Sequence, residues 1–528
     1  ILRDTEPELH LRSVTLTAKD KICLCETREC TPEACPYANG YYARIKGALW
    51  DVLDVPCLTA ETLQEYAERH TVCPFELGLD SSLWSDVIIG DYNYLFDPVV
   101  HLVRFFESAG DYIFLVDEAH NLPGRAREMH SAALTKTSFY EAKKLLGKGK
   151  SSLKNALTKV NDVFIEWRHR AEEETAARDG RFGKTFFLKE RSEEFDHLLN
   201  RLCEPLEAWL DDHREPDETH TALLQLYFDV RAWLRVADTF DDHFVLQITA
   251  SGSEVRAAQL CLDPSAFLAD SFALGRAAVL FSATLAPASY YKDLCGVPEA
   301  RAVALRSPFP AGNQGLFCIG NVSTRYKDRD ASLAIVAESL ATMVRARCGN
   351  YLAFFPSYAY MEQAYAQFKE HCPEINCIKQ ENAMDEQQKA AFLAQFVPGP
   401  SQPLLGFAVM GGVFGEGVDL TGDRLIGVGI VGPGLPQVGP RQEQLRDYFE
   451  QTRGSGFDYA YRYPGMNKVL QAAGRVIRTP QDKGVVLLID SRFAMPDYRR
   501  LMPPHWSHLK MIYDTEKLER ELWRFWEE

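Results

Sequence analysis

Two adjacent acids follow an apolar run early in the sequence, and their order suits nucleotide chemistry. The run YIFLV at 112–116 is followed by Asp117, Glu118, Ala119 and His120. An aspartate at the carboxyl end of a buried strand can hold Mg²⁺, and a glutamate beside it can orient the water that attacks a nucleoside triphosphate. We therefore predict that Asp117, Glu118 and His120 are catalytic, with a surface turn as the alternative.

Two hydroxyl residues follow a second apolar run. Ser282 and Thr284 come directly after AAVLF at 277–281. Hydroxyls at a strand end can couple a nucleotide site to a bound strand of nucleic acid, which is the role that we predict for them. By itself, the triplet Ser-Ala-Thr is more often a helix cap or a turn.

Arginines near the end of the chain suit the binding of phosphate groups. Gln471, Gly474, Arg475 and Arg478 precede the apolar run GVVLLI. Arginines three residues apart share one face of a helix, and a pair of guanidinium groups can neutralise charge on a phosphoryl group during transfer. The pattern predicts an arginine finger with Gln471 beside it, while Gly474 lets another backbone approach. A helix with surface salt bridges is the alternative.

A glycine-rich segment, GGVFGEGVDL at 411–420, follows the apolar run LLGFAVM. Glycine lets a backbone approach phosphate closely, and acids in such a loop can organise arginines. We predict that Gly415, Gly417 and Asp419 contact a nucleotide, with a plain flexible loop as the alternative.

Cysteines cluster near the beginning of the chain, where six of the 13 lie between positions 23 and 73. Four of them have the spacing C-x6-C-x4-C-x37-C. Structural zinc sites usually have two close pairs of cysteines, and four thiolates at looser spacing suit an iron–sulfur cluster at least as well. From spacing alone, iron–sulfur ligation, zinc ligation and free thiols all stay open. The predicted ligands are Cys23, Cys30, Cys35 and Cys73, with Cys25 and Cys57 as substitutes.

Apolar runs and helical patterns must position these residues. Runs typical of buried strands occur near 83–92, 111–117 and 277–281. From about 131 to 258, charged and apolar residues recur at helical spacing instead, apart from the strand-like DDHFVLQITA. Beyond about 306, strands and helices alternate, which predicts an α/β region with a mostly parallel sheet.

The four motifs occur in the order of the superfamily 2 helicases: DEAH, SAT, GEGVD and QAAGRVIR. The chain resembles the iron–sulfur branch of this superfamily, which includes XPD and DinG. Further points of resemblance are the cysteine segment before DEAH, GDYNYLFDP at 90–98 and FFPSY at 354–358. The helical segment lies where the family has its arch domain, so the resemblance covers nearly the whole chain.

The resemblance implies an α/β fold with two RecA-like parallel-sheet motor domains, the first interrupted by an iron–sulfur domain and a helical arch domain. It implies ATP hydrolysis coupled to 5′-to-3′ translocation on single-stranded DNA, in repair or replication, with DNA junctions as further partners. It also implies a 4Fe–4S cluster, and Mg²⁺ on Asp117. The implied segments are 1–16, 93–130 and 259–305 for the first motor domain, 17–92 for the iron–sulfur domain, 131–258 for the arch and 306–528 for the second motor domain.

The family's phosphate-binding loop, G-x4-G-K-S/T, does not occur in these 528 residues, and the sequence begins with Ile1. We therefore expect an amino-terminally truncated helicase that is inactive as an isolated fragment. Two other classes of function stay open. One is a zinc-containing nucleic-acid-binding module without ATPase activity, and the other is the helicase part of a nuclease–helicase.

The composition limits the partners. The length suits two to four domains, and the net charge of −16 excludes a basic surface over the whole chain but not a local patch. No apolar run approaches the ~20 residues of a membrane span, and no signal peptide is visible. Scattered cysteines in a long chain are typical of reducing compartments. We expect a cytoplasmic monomer with no membrane partner.

Overall fold

The computed structural model describes residues 10–149, 151–177, 183–215, 217–414 and 420–527. The chain contains two compact units, residues 1–110 and residues 111–528. Across these described ranges, no helix is both long enough and apolar enough to cross a lipid bilayer.

In residues 10–110, the first unit combines a small parallel sheet with six short helices. Strand β1 (Ser13–Thr15) lies between β2 (Cys57–Leu58) and β3 (Val87–Ile89) and pairs with both in parallel. Its central residue, Val14, is fully buried in the core of this unit. The helices are α1 (Lys19–Ile22), α2 (Tyr41–Val52), α3 (Ala60–His70), α4 (Pro74–Ser81), α5 (Asn93–Phe96) and α6 (Val103–Phe106).

The described part of the second unit contains three sheets and the remaining helices. Its strands are β4 (Ile113–Val116), β5 (Ala132–Thr135), β6 (Lys184–Leu188), β7 (Phe244–Ser251), β8 (Glu254–Cys261), β9 (Ala277–Leu280), β10 (Gln314–Ile319), β11 (Asn350–Phe355), β12 (Asn376–Lys379), β13 (Leu404–Val409), β14 (Gly427–Val431), β15 (Gly484–Ile489) and β16 (Lys510–Ile512). Its helices are α7 (Leu122–Met129), α8 (Lys136–Leu145), α9 (Ser152–Ala177), α10 (Glu193–Asp212), α11 (Glu218–Asp238), α12 (Ser265–Ala273), α13 (Ala288–Leu294), α14 (Arg329–Arg345), α15 (Tyr358–His371), α16 (Glu386–Ala394), α17 (Pro440–Arg453), α18 (Tyr463–Ala473), α19 (Pro496–Arg499) and α20 (Thr515–Glu527).

Strands β4 and β9 form a two-stranded parallel sheet in which Val116 lies beside Leu280. The positions predicted for these strands are confirmed. Their full burial is not, because Ile113 is 63% exposed and Leu115 is 69% exposed. Each strand has a single neighbour among the described residues, which leaves much of its surface uncovered.

The segment from 131 to 258 is not simply helical. Helices α8 to α11 are present, but they share a core with an antiparallel sheet of order β5-β8-β7-β6. The prediction of one strand in a helical segment is therefore wrong for this sheet. β5 and β6 have only four and five residues, and their sequences AALT and KTFFL do not alternate between apolar and polar residues. A tight turn with Gly252 at φ +60° joins β7 to β8.

A seven-stranded, entirely parallel sheet organises the chain beyond residue 306. Its order is β12-β13-β11-β14-β15-β10-β16. Every residue of β11 and β15 is buried, as is typical of a parallel sheet covered by helices on both faces. One face carries α14, α15 and α20, and the other carries α16 and α18. The α/β class with parallel sheets is confirmed, whereas the six predicted segment boundaries stay predictions.

Candidate functional site

The carboxyl ends of β4 and β9 bring two predicted motifs together. Because the two strands are parallel neighbours, the residues that follow Val116 and Leu280 leave the sheet at the same edge. The N–H of Ala119 donates to the carbonyl of Phe281 at 3.1 Å, which fixes the turn after β4. The predicted location of DEAH and SAT at strand ends is confirmed.

His120 is the centre of a hydrogen-bonded group that joins three predicted motifs. Its Nδ1 lies 2.8 Å from Ser282 Oγ and 3.2 Å from Glu118 Oε2. The Ser282 hydroxyl donates to Glu118 Oε2 at 3.0 Å. On the opposite side of the ring, Nε2 lies 2.5 Å from Gln471 Nε2. The His120 side chain is 3% exposed and that of Glu118 is 61% exposed, so the ring is enclosed while the carboxylate faces solvent.

These contacts assign the protons of the imidazole. Ser282 has one hydroxyl hydrogen, and donating it to Glu118 leaves Ser282 Oγ to accept from the Nδ1–H of His120. Nε2 then accepts from the amide of Gln471. With these partners, His120 carries a proton on Nδ1, an assignment that rests on the hydrogen-bond partners.

Thr284 is buried, and its backbone N–H donates to Ser282 Oγ at 3.2 Å. The SAT triplet thus forms a local turn, which was the alternative to a functional role. The same turn places Ser282 beside His120. Coupling to nucleic acid stays a prediction for both hydroxyls.

The backbone of Glu118 lies in the left-handed region, with φ 45° and ψ 40°. For a residue with a Cβ this conformation costs roughly 1–2 kcal/mol. Asp117 Oδ1 accepts from the Glu118 N–H at 2.7 Å and helps to hold it. Mg²⁺ takes one or two protein carboxylates together with substrate phosphates, so Asp117 and Glu118 fit this ion by donor chemistry.

The two predicted arginines do not share a helical face. Helix α18 ends before Gly474, and Arg475 and Arg478 lie in the non-helical segment that follows. The Asp482 carboxylate accepts from the N–H of Arg478 and from the N–H and hydroxyl of Thr479, at 2.7 to 2.8 Å. Burial would raise the pKa of Asp482, but these bonds hold it below its ordinary value. The helical expectation is wrong because Asp482 offers the backbone a different set of hydrogen bonds.

Three predicted nucleotide contacts, Gly415, Gly417 and Asp419, lie outside the described residues. The strand before them, β13, is present as predicted. Their contacts with a nucleotide stay predictions.

Three cysteines of the first unit lie together. Cys25 Sγ is 3.8 Å from Cys35 Sγ, and the Cys25 N–H donates to Cys23 Sγ at 3.5 Å. Desolvation and the neighbouring thiols of Cys35 and Cys23 raise the pKa of Cys25 to about 11. Among the residues that the structure describes, no set of three or more His, Cys, Asp or Glu side chains is arranged to hold a metal ion.

The other two predicted ligands, Cys30 and Cys73, act electrostatically on a lysine. Burial would lower the pKa of Lys19, but Cys30, Glu76 and Cys73 raise it above its ordinary value, and Lys19 Nζ lies 3.5 Å from Glu76 Oε1. Cys57 is a different case, because it lies in β2 with its Sγ 3.2 Å from Ser13 Oγ of β1. No cysteine forms a disulfide in the described chain. The thiols fit an iron–sulfur cluster by donor chemistry, but the described arrangement does not assemble the predicted set.

A polar cluster that the sequence analysis missed lies at the carboxyl edge of the seven-stranded sheet. Asp490 follows β15 and is fully buried. It accepts from Arg492 Nε and Nη2 at 2.8 Å each and from the Thr324 N–H at 3.0 Å. Burial would raise the pKa of Asp490, but Arg492 and Thr324 hold it below its ordinary value. An acid and an arginine two residues apart, directly after a strand run, were the available signal.

Comparisons with known proteins agree on one family. The model described as Helicase C-terminal domain matches residues 340–509, and the DEAD_2 model matches residues 8–139. The helicase subunit XPD of general transcription and DNA repair factor IIH from Schizosaccharomyces pombe is 24% identical, over 84% of this chain and 67% of its own length. The ATP-dependent DNA helicase CHL1 of Coccidioides immitis is 22% identical, over 86% of this chain and 60% of its own length.

Human regulator of telomere elongation helicase 1 is 22% identical, over 94% of this chain and 48% of its own length. The chain thus spans about half to two thirds of the length of these relatives. Among solved structures, an XPD helicase has a TM-score of 0.60 at 18% identity, covering 97% of this chain and 89% of its own. Xpd4 of S. tokodaii has a TM-score of 0.56 at 16% identity, covering 82% and 83%. At this identity the structures show the fold alone. Together with the strand-end motifs, the family models and the named relatives support an XPD/DinG-like superfamily 2 helicase.

Proposed function

We propose that this chain is the motor part of a DNA helicase that couples ATP hydrolysis to 5′-to-3′ movement along single-stranded DNA, in repair or replication. The names of two relatives support a helicase that acts on DNA, one a subunit of a DNA repair factor and one ATP-dependent. The direction of movement and the engagement of DNA junctions rest on the family resemblance. A monomeric state and a cytoplasmic location stay predictions.

The observation that carries the proposal is the group around His120. In the proposed mechanism, Asp117 would hold Mg²⁺ and Glu118 would orient the attacking water. Because Ser282 donates to the Glu118 carboxylate, a change of charge at the nucleotide would alter the hydrogen bond of Ser282. Through His120, the same change reaches Gln471 on α18. This route would connect ATP hydrolysis with the SAT segment, where Ser282 and Thr284 would sense the DNA strand.

The other predicted residues complete the nucleotide site in this proposal. Arg475 and Arg478 would neutralise charge on the γ-phosphoryl group, and they do not need a shared helical face to do so. The segment that contains them begins at Gly474, which has no side chain and so leaves room for another backbone to approach. Contacts from Gly415, Gly417 and Asp419 belong to the same proposal.

We also propose a 4Fe–4S cluster on Cys23, Cys30, Cys35 and Cys73. All four are outside helix interiors, and Cys73 is the N-cap residue of α4. A bound cluster would tie the loop of the first three ligands to the start of α4. Cys25 is the competing ligand, because its thiol already lies beside that of Cys35.

The test of the helicase proposal has two steps. The 528-residue chain should bind oligo(dT) but hydrolyse little ATP, because it contains no G-x4-G-K-S/T loop. A fusion that supplies a segment with this loop before Ile1 should hydrolyse ATP, faster with single-stranded DNA, and Glu118→Gln in the same fusion should abolish hydrolysis while retaining DNA binding. A folded fusion that binds DNA and ATP without hydrolysis would refute the proposal, as would hydrolysis that survives Glu118→Gln.

A further inference from the structure

Tyr326 and Arg329 form an exposed pair of aromatic ring and cation after β10. Tyr326 begins a single 3-10 turn and is 86% exposed. The Arg329 guanidinium lies 5.4 Å from the centroid of the Tyr326 ring and 5.0 Å from that of Tyr360, which is fully buried. Since so little of Tyr326 is removed from water, hydrophobic burial explains little of its presence there.

Protein groups neutralise the charge of Arg329 poorly. Its Nη1 donates to Ser357 Oγ at 3.4 Å, and its Nε is buried without a hydrogen-bond partner in the described structure. The acids beside it in sequence, Asp328 and Asp330, accept from a serine and a glutamine side chain instead. No carboxylate of the described residues forms an ion pair with it. A half-buried cation in this situation favours an anionic ligand.

The pair lies where ligands of open α/β sheets bind, at the carboxyl edge of the seven-stranded sheet. Ser357 follows β11 as the N-cap residue of α15, and Thr324 follows β10 and is fixed to the residue after β15. Two exposed basic residues, Arg325 and Lys327, flank Tyr326. The edge therefore presents an aromatic face and several cations from one short loop on rigid strands.

We propose that Tyr326 and Arg329 bind one nucleotide of single-stranded nucleic acid, with the base on the exposed face of Tyr326 and a backbone phosphate on the guanidinium of Arg329. The inference rests on the proposed function, because the strand on which the motor moves is the ligand. Stacking on an aromatic ring tolerates every base, as translocation requires. The guanidinium is held over Tyr360, and its terminal N–H groups can donate charge-assisted hydrogen bonds to phosphate.

The test uses the 528-residue chain and fluorescence anisotropy with labelled oligo(dT) of about 20 nucleotides, longer than the ~4–16 of typical single-strand sites. Tyr326→Ala should raise Kd about 5-fold or more, whereas Tyr326→Trp, which keeps a stacking surface, should stay within about twofold of the wild type. Arg329→Gln should reduce the slope of log Kd against log salt by about 0.7, the value for one phosphate contact on a single strand. Phe228→Ala is the matched control, since this ring is 56% exposed on α11, and it should change nothing.

The outcomes distinguish the proposed nucleotide site from the proposed helicase function. Weaker binding of both variants supports the site, and a parallel series with oligo(U) shows whether the nucleotide is recognised in DNA alone or in RNA as well. Wild-type binding with an unchanged Kd for Tyr326→Ala and an unchanged salt slope for Arg329→Gln overturns the site and leaves the proposed function standing. A lower thermal midpoint of Arg329→Gln without those changes assigns Arg329 to packing alone and overturns the site as well. Absence of wild-type binding overturns both.

Discussion

The buried pair of Asp490 and Arg492 is a sensitive point of the second parallel sheet. Asp490→Ala removes the carboxylate that pairs with Arg492, whose side chain is only 13% exposed. It also removes the acceptor of the Thr324 N–H. The guanidinium then stays buried without a counter-ion, and this one-sided loss is the reason for a large expected effect.

The magnitude follows from the burial of both partners. Breaking a buried ion pair by removing one partner costs about 3–5 kcal/mol. For a domain in the size range of residues 306–528, each kcal/mol lowers the thermal midpoint by roughly 2–4 °C. Asp490→Ala should therefore lower the midpoint of this region by roughly 6–20 °C. Replacing both partners, in Asp490→Leu with Arg492→Met, should cost less than either single change, because no unpaired charge remains.

Thiol labelling can report on this region selectively. Cys318 in β10 is fully buried, and burial raises its pKa to about 12, so it reacts only when the sheet opens. Cys203 is buried in the separate core that α10 and α11 share with β5 to β8. Pulses of maleimide at increasing temperature, mapped by mass spectrometry, should show an earlier midpoint for Cys318 in Asp490→Ala and an unchanged midpoint for Cys203.

The pH dependence supplies a second criterion. Because the pKa of Asp490 is depressed in the folded chain, its stabilising effect is present above the unfolded value of about 3.9 and is lost as the pH falls through the folded pKa. The difference between the wild type and Asp490→Asn should therefore stay constant from about pH 7 to 5 and shrink only below about pH 4. Two results would refute this reasoning. One is a shift below about 2 °C in the midpoint temperature of Cys318 labelling in Asp490→Ala at neutral pH. The other is a double variant that is less stable than both single variants.

Three further predictions concern the site and the cysteines. Anaerobically purified protein should be brown with about four irons, and Cys25→Ser should keep the colour; one zinc and no iron would contradict the cluster, and bleaching would contradict the ligand set. In the loop-supplied fusion, Arg475→Ala or Arg478→Ala should lower kcat by up to ~10³-fold for the true finger, with weaker effects on ATP binding and poor rescue by Lys; a normal kcat in both would exclude the finger role. In the same fusion, His120→Ala and Gln471→Ala should be non-additive by about 0.5–3 kcal/mol in kcat/KM, and strictly additive effects would show that their contact is not used.

Buried strands were the most predictable part of the fold. The runs that became β11, β13 and β15 are continuous and apolar because both faces of a parallel sheet are covered. The antiparallel sheet around β7 was harder to predict, since its strands β5 and β6 are short and half-buried. The two-residue Gly252-Ser253 loop after a strand run was a usable hairpin signal.

The candidate site was predictable in its motifs but not in its contacts. Strand ends place Asp117 and Ser282 correctly, because parallel neighbours end at one edge. The contact of His120 with Gln471 spans 351 positions, and no local pattern encodes it. The prediction that Arg475 and Arg478 share a helical face was wrong for the opposite reason. A local acid, Asp482, binds the backbone here and prevents the helix from continuing.

The left-handed backbone of Glu118 has a consequence for evolution and for engineering. Glycine adopts this conformation without steric penalty, so Glu118→Gly relieves local strain at the same step at which it removes the proposed catalytic carboxylate. Selection of variants for heat resistance alone should therefore favour an inactive enzyme at this position, a trade-off between stability and activity. Retention of glutamate under such a screen would require selection for turnover, and a heat-selected library sequenced with and without an activity step would reveal it.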